Sequence, residues 1–471
     1  MVTNSMSKIY SYFSQNVVLP VYDLIRHTSR FKYGRILDMT QWLSMKELER
    51  LQSYNLRRLL VYAYNNVPYY HRAFKKRNLF PSDIKSTEDL VKLPVLTKAD
   101  IRMQKKELIS KLCAQKDLVP FRSGGSGDQV QFFVTKDQLS WEIAAEYRAY
   151  GWADYSLGDN CFMFWASPID LSKSKSFQKQ LSKKLERVFI ADTYIMSDKV
   201  LAKFAYLLLK KQPDIIRGYA SSVYLMAKYL VEKNISSVRP RAVITTAETL
   251  FPSMRKMIEK AFGCKVFDFY GSREIGGMAA ECELHCGYHI SVENVVMEFI
   301  QDGEQVAAGE KGVVFLTSLR NYGMPLIRYR VGDVGVPSDD LCECGRGLPL
   351  VSSISGRISD FMGVYDKAVG KVVPVGPIYP LIIYGLMNVP LKSVRVFQNE
   401  VNKLEVKAVR DNGYKEKHTD YLINFFRDAL GDNVEIDFDF LDTLPPLPSG
   451  KRQVFISKIN PFEASANRKL T

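Results

Sequence analysis

Between about residue 145 and residue 330, short apolar runs alternate with longer segments of helical periodicity, and this alternation restricts the fold more than any other feature of the chain. Cys161–Trp165, Ile215–Gly218, Ala242–Thr245 and Val266–Phe269 have the length and composition of buried strands. Between them, Lys199–Lys211, Ser221–Lys233 and Pro252–Phe262 carry apolar residues at helical spacing. Strands separated by helix-length connections pair in parallel, with helices on both faces of the sheet. The expected fold class is α/β. Residues 1 to about 120 read as helices with polar connectors: Leu51–Asn65 should end at the Val67-Pro68 step, and Leu93–Asp100 enters a helix capped near Thr97. After about residue 355 the character changes. Val394–Phe397 and Lys403–Val409 read as two strands of a meander, Lys417–Leu430 as a helix and Val434–Leu441 as a strand, which together make a small α+β unit. The expected division is therefore a large domain over 1–355 and a small one over 356–471, with a hinge near 355–360.

Hydrophobic residues make up 46% and charged residues 25% of the 471 positions, the balance of a globular protein, which excludes a disordered or collagenous one. The 65 Lys and Arg against 51 Asp and Glu leave a net charge of +14, which favours anionic small molecules, acidic membrane surfaces or nucleic acid. No groove-reading helix motif, zinc finger or aromatic RNA platform accompanies that charge, so nucleic acid is not expected as a partner. The densest basic stretch, Lys173–Arg187, repeats Phe177, Leu181 and Leu185 at four-residue spacing. It reads as a solvated amphipathic helix or as a contact with a membrane surface or acidic partner. The first dozen residues lack the continuous apolar core of a signal peptide, and seven cysteines are too few for a disulfide scaffold, so a reducing, cytoplasmic setting is expected. The uncharged stretch Val372–Leu391 carries Pro374, Pro377, Pro380 and Pro390. Prolines that frequent break a spanning helix, so a loop and a buried helix are expected there.

Several strings carry chemistry. Ser123-Gly124-Gly125-Ser126-Gly127-Asp128 clusters glycines and hydroxyls in the way that lets backbone amides converge on phosphate oxygens, although no strand is expected to feed it and a plain surface hairpin is the alternative. Thr245-Thr246-Ala247-Glu248 and Asp268-Phe269-Tyr270-Gly271-Ser272-Arg273-Glu274 close two apolar runs, and the carboxyl ends of parallel strands face the ligand crevice. There a tyrosine ring can lie against a base, and Glu274 can hold a metal that bridges phosphates. In Leu326–Gly335, Asp333 sits between two glycines, where one carboxylate can accept two ribose hydroxyls. Gly356-Arg357-Ile358-Ser359-Asp360 and Leu447-Pro448-Ser449-Gly450-Lys451-Arg452 follow, with Arg357 and Lys451 placed to compensate phosphate charge.

Taken in this order and at these separations, the strings resemble those of the acyl-adenylate-forming ligase superfamily over essentially the whole chain. Within it the sequence is most similar to the phenylacetate–CoA ligase group and its capsular-polysaccharide-biosynthesis (CapK-type) branch, through Asn66–Tyr70, Leu93–Lys98, Arg217-Gly218-Tyr219-Ala220-Ser221 and Met324–Arg330. The resemblance implies a large adenylate-forming domain followed by a small mobile one. It also implies a two-step reaction: a carboxylate attacks the α-phosphate of Mg-ATP to give an acyl-adenylate, and an acceptor then takes the acyl group. Lys451, Glu274 and Arg357 would be catalytic; Ser123, Gly124, Gly125, Ser126 and Gly127 would cover the β and γ phosphates. Ala247, Glu248, Tyr270, Gly271, Ser272 and Asp333 would hold the nucleoside, and Ser359 would be the hinge. The expected cofactors are ATP, Mg2+ and coenzyme A as co-substrate, and the expected partners are a small-molecule carboxylate and an acyl acceptor. The branch points to surface polysaccharide or related biosynthesis, with peripheral association with membrane-bound machinery. The competing reading is a catalytically silent nucleotide-binding subunit of a polysaccharide assembly complex. Gly125, Gln129 and Ser359 depart from the residues usual in the superfamily.

Four cysteines gather in two close pairs, Cys282-x-x-x-Cys286 and Cys342-x-Cys344, with Gly287 and Gly345 after each pair to let the loops turn. Two such pairs on separate loops can close a tetrahedral thiolate site for structural zinc, with His285 as the alternative to Cys286 and His289 as a poorer third choice. Some relatives in the branch carry a similar cluster, which supports zinc by resemblance.

Overall fold

The computed structural model describes residues 10, 12–26, 28–123, 130–165, 183–193, 196, 198–357, 362–366, 371–375, 378, 382, 385–386, 389–431, 433–444 and 454–459. The chain enters through helices. The longest of these, Met45–Asn66, begins with a capping box in which Ser44 and Glu47 satisfy each other's backbone amides. It ends where Val67 turns extended ahead of Pro68, as a residue before proline must. Thr97 and Asp100 form a second capping box at the helix Lys98–Gln104, the expected site.

β1 (Leu118–Arg122) and β2 (Gln131–Thr135) pair antiparallel, one on each side of the Gly/Ser string in sequence. The expectation that no strand leads into that loop is thus overturned. The apolar content of Leu118–Arg122 is interrupted by Pro120, which hides a strand from periodicity alone. The sheet proper begins with β3 (Cys161–Trp165), β4 (Val188–Asp192), β5 (Ile215–Tyr219), β6 (Ala242–Thr246) and β7 (Lys265–Ser272), all parallel and ordered β7-β6-β5-β3-β4. The helices Ala220–Glu232 and Pro252–Phe262 cover one face, where Ile216, Val243 and Val266 meet Val223, Met226 and Ile258. On the other face Ile215, Ile244, Phe267 and Phe269 join the main core, and the helix Lys136–Gly151 lies against the sheet there.

From β8 (Gly276–Glu281) onward the parallel expectation fails. β9 (Tyr288–Ile290), β10 (Val295–Gln301), β11 (Glu304–Gln305), β12 (Gly312–Ser318), β13 (Tyr329–Ser338) and β14 (Leu350–Arg357) are antiparallel to their neighbours, extending one 12-stranded sheet in the order β11-β10-β12-β13-β14-β9-β8-β7. The connections here are too short for a crossover helix, and a parallel pair needs a connection of about a dozen residues or more.

Further on, β15 (Met362–Asp366) and β16 (Lys371–Val375) form a hairpin, which corrects the loop-and-helix expectation for Val372–Val375; much of the remainder of that stretch lies outside the described residues. β17 (Leu391–Glu400), β18 (Lys403–Arg410), β19 (Glu435–Phe440) and β20 (Phe455–Ser457) make a separate sheet ordered β19-β18-β17-β20. The helix Glu416–Leu430 crosses from β18 to the parallel β19. Met362, Val396, Leu404, Leu422, Phe426 and Phe455 form a core drawn only from this part of the chain. The architecture is α/β with a small α+β unit following the large sheet.

Candidate active site

The parallel and antiparallel halves of the large sheet meet where β7 turns into β8, and Asp268–Glu274 runs through that turn. Gly271 is required by space: a Cβ there would come within 2.7 Å of the Phe269 ring. Gly276 adopts φ +78°, and a Cβ on it would meet the Glu142 side chain at 2.5 Å. Glu142 itself is buried, and burial pushes its carboxyl up to about 8, so it is a neutral acid at pH 7 beneath the turn. Sequence patterning does not single it out, because a glutamate in a helix reads as a solvated one.

Tyr270 leaves the end of β7 and its Oη donates to Asp333 Oδ2 at 2.7 Å. Asp333 lies on β13 beside Gly332 (φ +88°) and is the cross-strand partner of Arg357 on β14. Three strings far apart in sequence thus converge on one edge of the crevice. Thr246 pairs with Phe269, so Ala247 and Tyr270 leave adjacent strand ends. Ala247 holds φ +68°, a left-handed conformation that a non-glycine residue adopts at a cost of about 1–3 kcal/mol and that clusters at functional sites. Glu248 follows and accepts the Ser221 amide at 2.9 Å, in the first turn of the helix Ala220–Glu232. Glu274 is 6% exposed; Tyr329 Oη approaches it at 3.4 Å, too long to satisfy a carboxylate, which leaves its oxygens able to take a cation. Among the described residues, the buried hydroxyls Ser221 Oγ and Ser272 Oγ have no hydrogen-bond partner.

Behind this edge Asp268 accepts from Thr245 Oγ1 at 2.7 Å and Tyr288 Oη at 2.8 Å. Burial is the main reason its carboxyl is pushed up to about 6. Asp268, Tyr288, Tyr329 and Glu142 are the polar residues around the crevice to which sequence reasoning assigned no role. Of the sequence-predicted residues, Ser123 is buried at the end of the hairpin, with Oγ accepting the Val130 amide at 2.9 Å. Gly124, Gly125, Ser126, Gly127, Gln129, Ser359 and Lys451 lie outside the described residues, and Arg357 is described only by its backbone.

A second cluster forms at the far ends of β8, β9 and the β13–β14 loop. The ligand atoms of Cys282, His289, Cys342 and Cys344 lie within 4.8 Å of one another. Cys282 Sγ and Cys342 Sγ are 3.6 Å apart, and Cys344 Sγ is 3.3 Å from His289 Nε2. Ligands about 2.3 Å (sulfur) and 2.0 Å (nitrogen) from a tetrahedral zinc stand about 3.5–3.8 Å from each other, so the donor set fits zinc. His289 Nδ1 lies 3.1 Å from the Leu348 carbonyl oxygen, which fixes the tautomer whose Nε2 carries the lone pair. Burial holds that imidazole below its usual range, keeping it neutral. Gly287 (φ +138°) and Gly345 (φ +83°) make the loop turns expected of them.

The membership differs from expectation. Cys286 is exposed and its Sγ contacts the Leu284 carbonyl at 3.5 Å, while His285 faces Glu281 Oε2 at 3.2 Å. Both ride on the β8–β9 connection, whose tip turns outward, whereas His289 is held inward within β9 between β8 and β14. Cysteine spacing identified the cluster; strand pairing chose its fourth member.

Comparison with known proteins finds relatives in sequence and in fold. Residues 382–458 match the family described as CapK C-terminal domain. Protein CapK of Staphylococcus aureus is 25% identical over 453 residues, covering 94% of this chain and 97% of that protein. Phenylacetate-coenzyme A ligase of Escherichia coli (strain K12) is 29% identical over 339 residues, covering 69% of this chain and 75% of that protein. Among solved structures, 2-hydroxyisobutyryl-CoA ligase in the postadenylation state superposes with a TM-score of 0.66 at 18% identity, covering 91% of this chain and 93% of that one, a likeness of fold. These likenesses support the adenylate-forming ligase superfamily and, within it, the branch shared by CapK and the phenylacetate-coenzyme A ligases.

Proposed function

We propose that this protein uses ATP to activate a carboxylic acid as an acyl-adenylate and then transfers the acyl group to an acceptor, coenzyme A being the first to test. The observation that carries this reading is the convergence of Tyr270 on Asp333, itself the cross-strand partner of Arg357, at the seam of the sheet. A carboxylate between two strand ends can take both ribose hydroxyls, and an aromatic ring hydrogen-bonded to it forms a wall for the base. In the first step the substrate carboxylate attacks the α-phosphorus and pyrophosphate leaves, with negative charge developing on five-coordinate phosphorus. Charges fixed in advance stabilise that state better than water, which must reorganise. Lys451 would bridge the carboxylate and α-phosphate oxygens, and Arg357 would sit beside the ribose and phosphate. Ser123–Gly127 would cover the outer phosphates. Glu274, buried and poorly satisfied by Tyr329, would hold magnesium, which supplies compensating charge to the phosphates.

The division at 355–356, with Lys451 on a small domain that swings about Ser359 between half-reactions, belongs to the same proposal. The separate core of residues 362–455 supports it. We assign structural zinc to Cys282, His289, Cys342 and Cys344; with four protein ligands no position stays open, so the metal braces the loops and takes no part in the chemistry. A role in surface polysaccharide synthesis is supported by the likeness to CapK, and a cytoplasmic setting by the use of ATP and by the low cysteine count.

Pyrophosphate release measured across a panel of carboxylic acids, with and without coenzyme A, tests the function. Acid-dependent release is expected, with thioester formed when coenzyme A is present. Saturable ATP binding with no acid-dependent release across the panel would instead favour the silent nucleotide-binding subunit.

A further inference from the structure

The helical segment near the N-terminus turns most of its apolar residues outward. It runs over Ser14–Val18 as a π-turn and continues as Leu19–Arg26. Its inward face carries Ser14, Leu19 and Asp23, all buried, and Asp23 accepts from Arg30 Nε at 2.6 Å and from Thr28 Oγ1 at 2.6 Å. Its outward face is apolar. Phe13 is 54% exposed, Val17 44%, Val21 52%, Leu24 75% and Ile25 69%. At about 100° per residue, Val21, Leu24 and Ile25 on the α-helical part fall within a stripe about 100° wide, opposite Leu19 and Asp23, and the exposed Phe13 and Val17 precede them along the π-turn. A stripe of this width on a globular helix normally faces the core, and this one faces solvent. The anchoring is specific, since Arg30 Nη1 also pairs with Glu186 Oε1 at 3.3 Å and Tyr10 Oη donates to the Leu185 carbonyl at 2.9 Å. Arg187 stands over the Tyr10 ring at 5.2 Å.

These contacts join the apolar stripe to the end of the most basic stretch of the sequence, Lys173–Arg187, whose Lys184 is exposed. We propose that this helix lies on an anionic lipid bilayer, with Phe13, Val17, Val21, Leu24 and Ile25 entering the interface and Lys184, on the described end of the basic run, at the headgroups. Apolar area together with clustered cationic charge is the recognition chemistry of such a surface. A second copy of the chain fits less well, because each copy carries a net charge of +14 and the copies repel. Among the described residues no helix is long and apolar enough to cross a membrane, so the association is peripheral.

Co-sedimentation of the full chain with phosphatidylglycerol-containing and pure phosphatidylcholine vesicles, at low and high salt, tests this, alongside light scattering of the free protein. Binding to the anionic vesicles should be about tenfold tighter or more at low salt, and high salt should weaken it. The exposed double substitution Leu24→Glu/Ile25→Glu should reduce binding about tenfold or more with an unchanged melting temperature, and Lys184→Glu should reduce it less. No co-sedimentation, equal partition to both lipids, or wild-type binding by the double variant would each overturn the proposal. So would a dimer that the double variant splits, which would make a second copy the occupant.

Discussion

The hydroxyl of Tyr270 and the carboxylate of Asp333 are hydrogen-bonded at 2.7 Å across 63 positions of sequence. This bond ties the last parallel strand, β7, to β13 in the antiparallel half of the sheet, so one contact spans the boundary between two modes of strand pairing.

On the proposed function, that contact makes Asp333→Ala a binding variant. The ribose is held alike before and during reaction, so ATP affinity should fall about tenfold or more, the scale of hydrogen bonds to a charged group. Titration calorimetry with ATP measures it, and unchanged affinity would remove Asp333 from the site.

Lys451→Ala should act on the first step. Acid-dependent pyrophosphate release should drop about 10²-fold or more, as when one preorganised charge is lost from a transition state, whereas thioester formation from synthetic acyl-adenylate should suffer less. Equal loss in both half-reactions, in a folded variant, would contradict the assignment of Lys451 to adenylation.

Zinc content should separate the four residues that cluster from the cysteine that does not. Protein purified without a histidine tag should carry about one zinc, because four such ligands saturate a tetrahedral ion. Cys286→Ser should keep it; His289→Ala and Cys344→Ser should lose it and melt at lower temperature. Elemental analysis decides the matter, and less than about a tenth of an equivalent in the wild type, with these thiols freely titrating in the folded protein, would end the zinc assignment.

Glu142 gives the fold a pH signature. Its carboxyl is pushed up to about 8, mainly by burial, from a usual value near 4.5. The folded state therefore holds a proton that the unfolded state releases, and stability should decline as pH rises from about 4.5 to about 8. Asp268, pushed up to about 6, adds to the same slope at its lower end. Glu142→Gln removes the larger contribution, and should stabilise the protein by roughly 1–4 kcal/mol at pH 8 with little effect at pH 5. Gln138 Oε1 is buried with no partner among the described residues while its amide nitrogen faces Glu142 Oε1, so a rotated amide would receive the proton of the neutral acid. Urea denaturation at the two pH values checks this, and a slope unaltered by the substitution would mean that Glu142 is ionised in the fold.

Local signals in the chain were enough to place four of the five parallel strands, all but β4, and the helices between them. Cys161–Trp165 and Pro252–Phe262 form where periodicity put them, and Thr97 caps its helix. These features depend on side-chain spacing and on backbone amides a few residues away, information that stays next to itself in sequence. The order of the motif strings likewise identified the superfamily before any strand was paired. What the sequence did not determine was which partner each strand and side chain would meet. A strand of buried, apolar residues reads the same whether its neighbour runs parallel or antiparallel, so the parallel expectation for residues 145–330 failed over β8 to β12. Cys286 and His289 are three residues apart, yet strand pairing turns one toward solvent and the other toward Cys344. Glu142 is an ordinary helical glutamate until Gly276 closes over it, and Phe13 to Ile25 are ordinary helical apolar residues until Asp23 and Arg30 fasten the polar side inward. Burial and pairing are properties of distant segments brought together, and only the tertiary structure supplies the second segment.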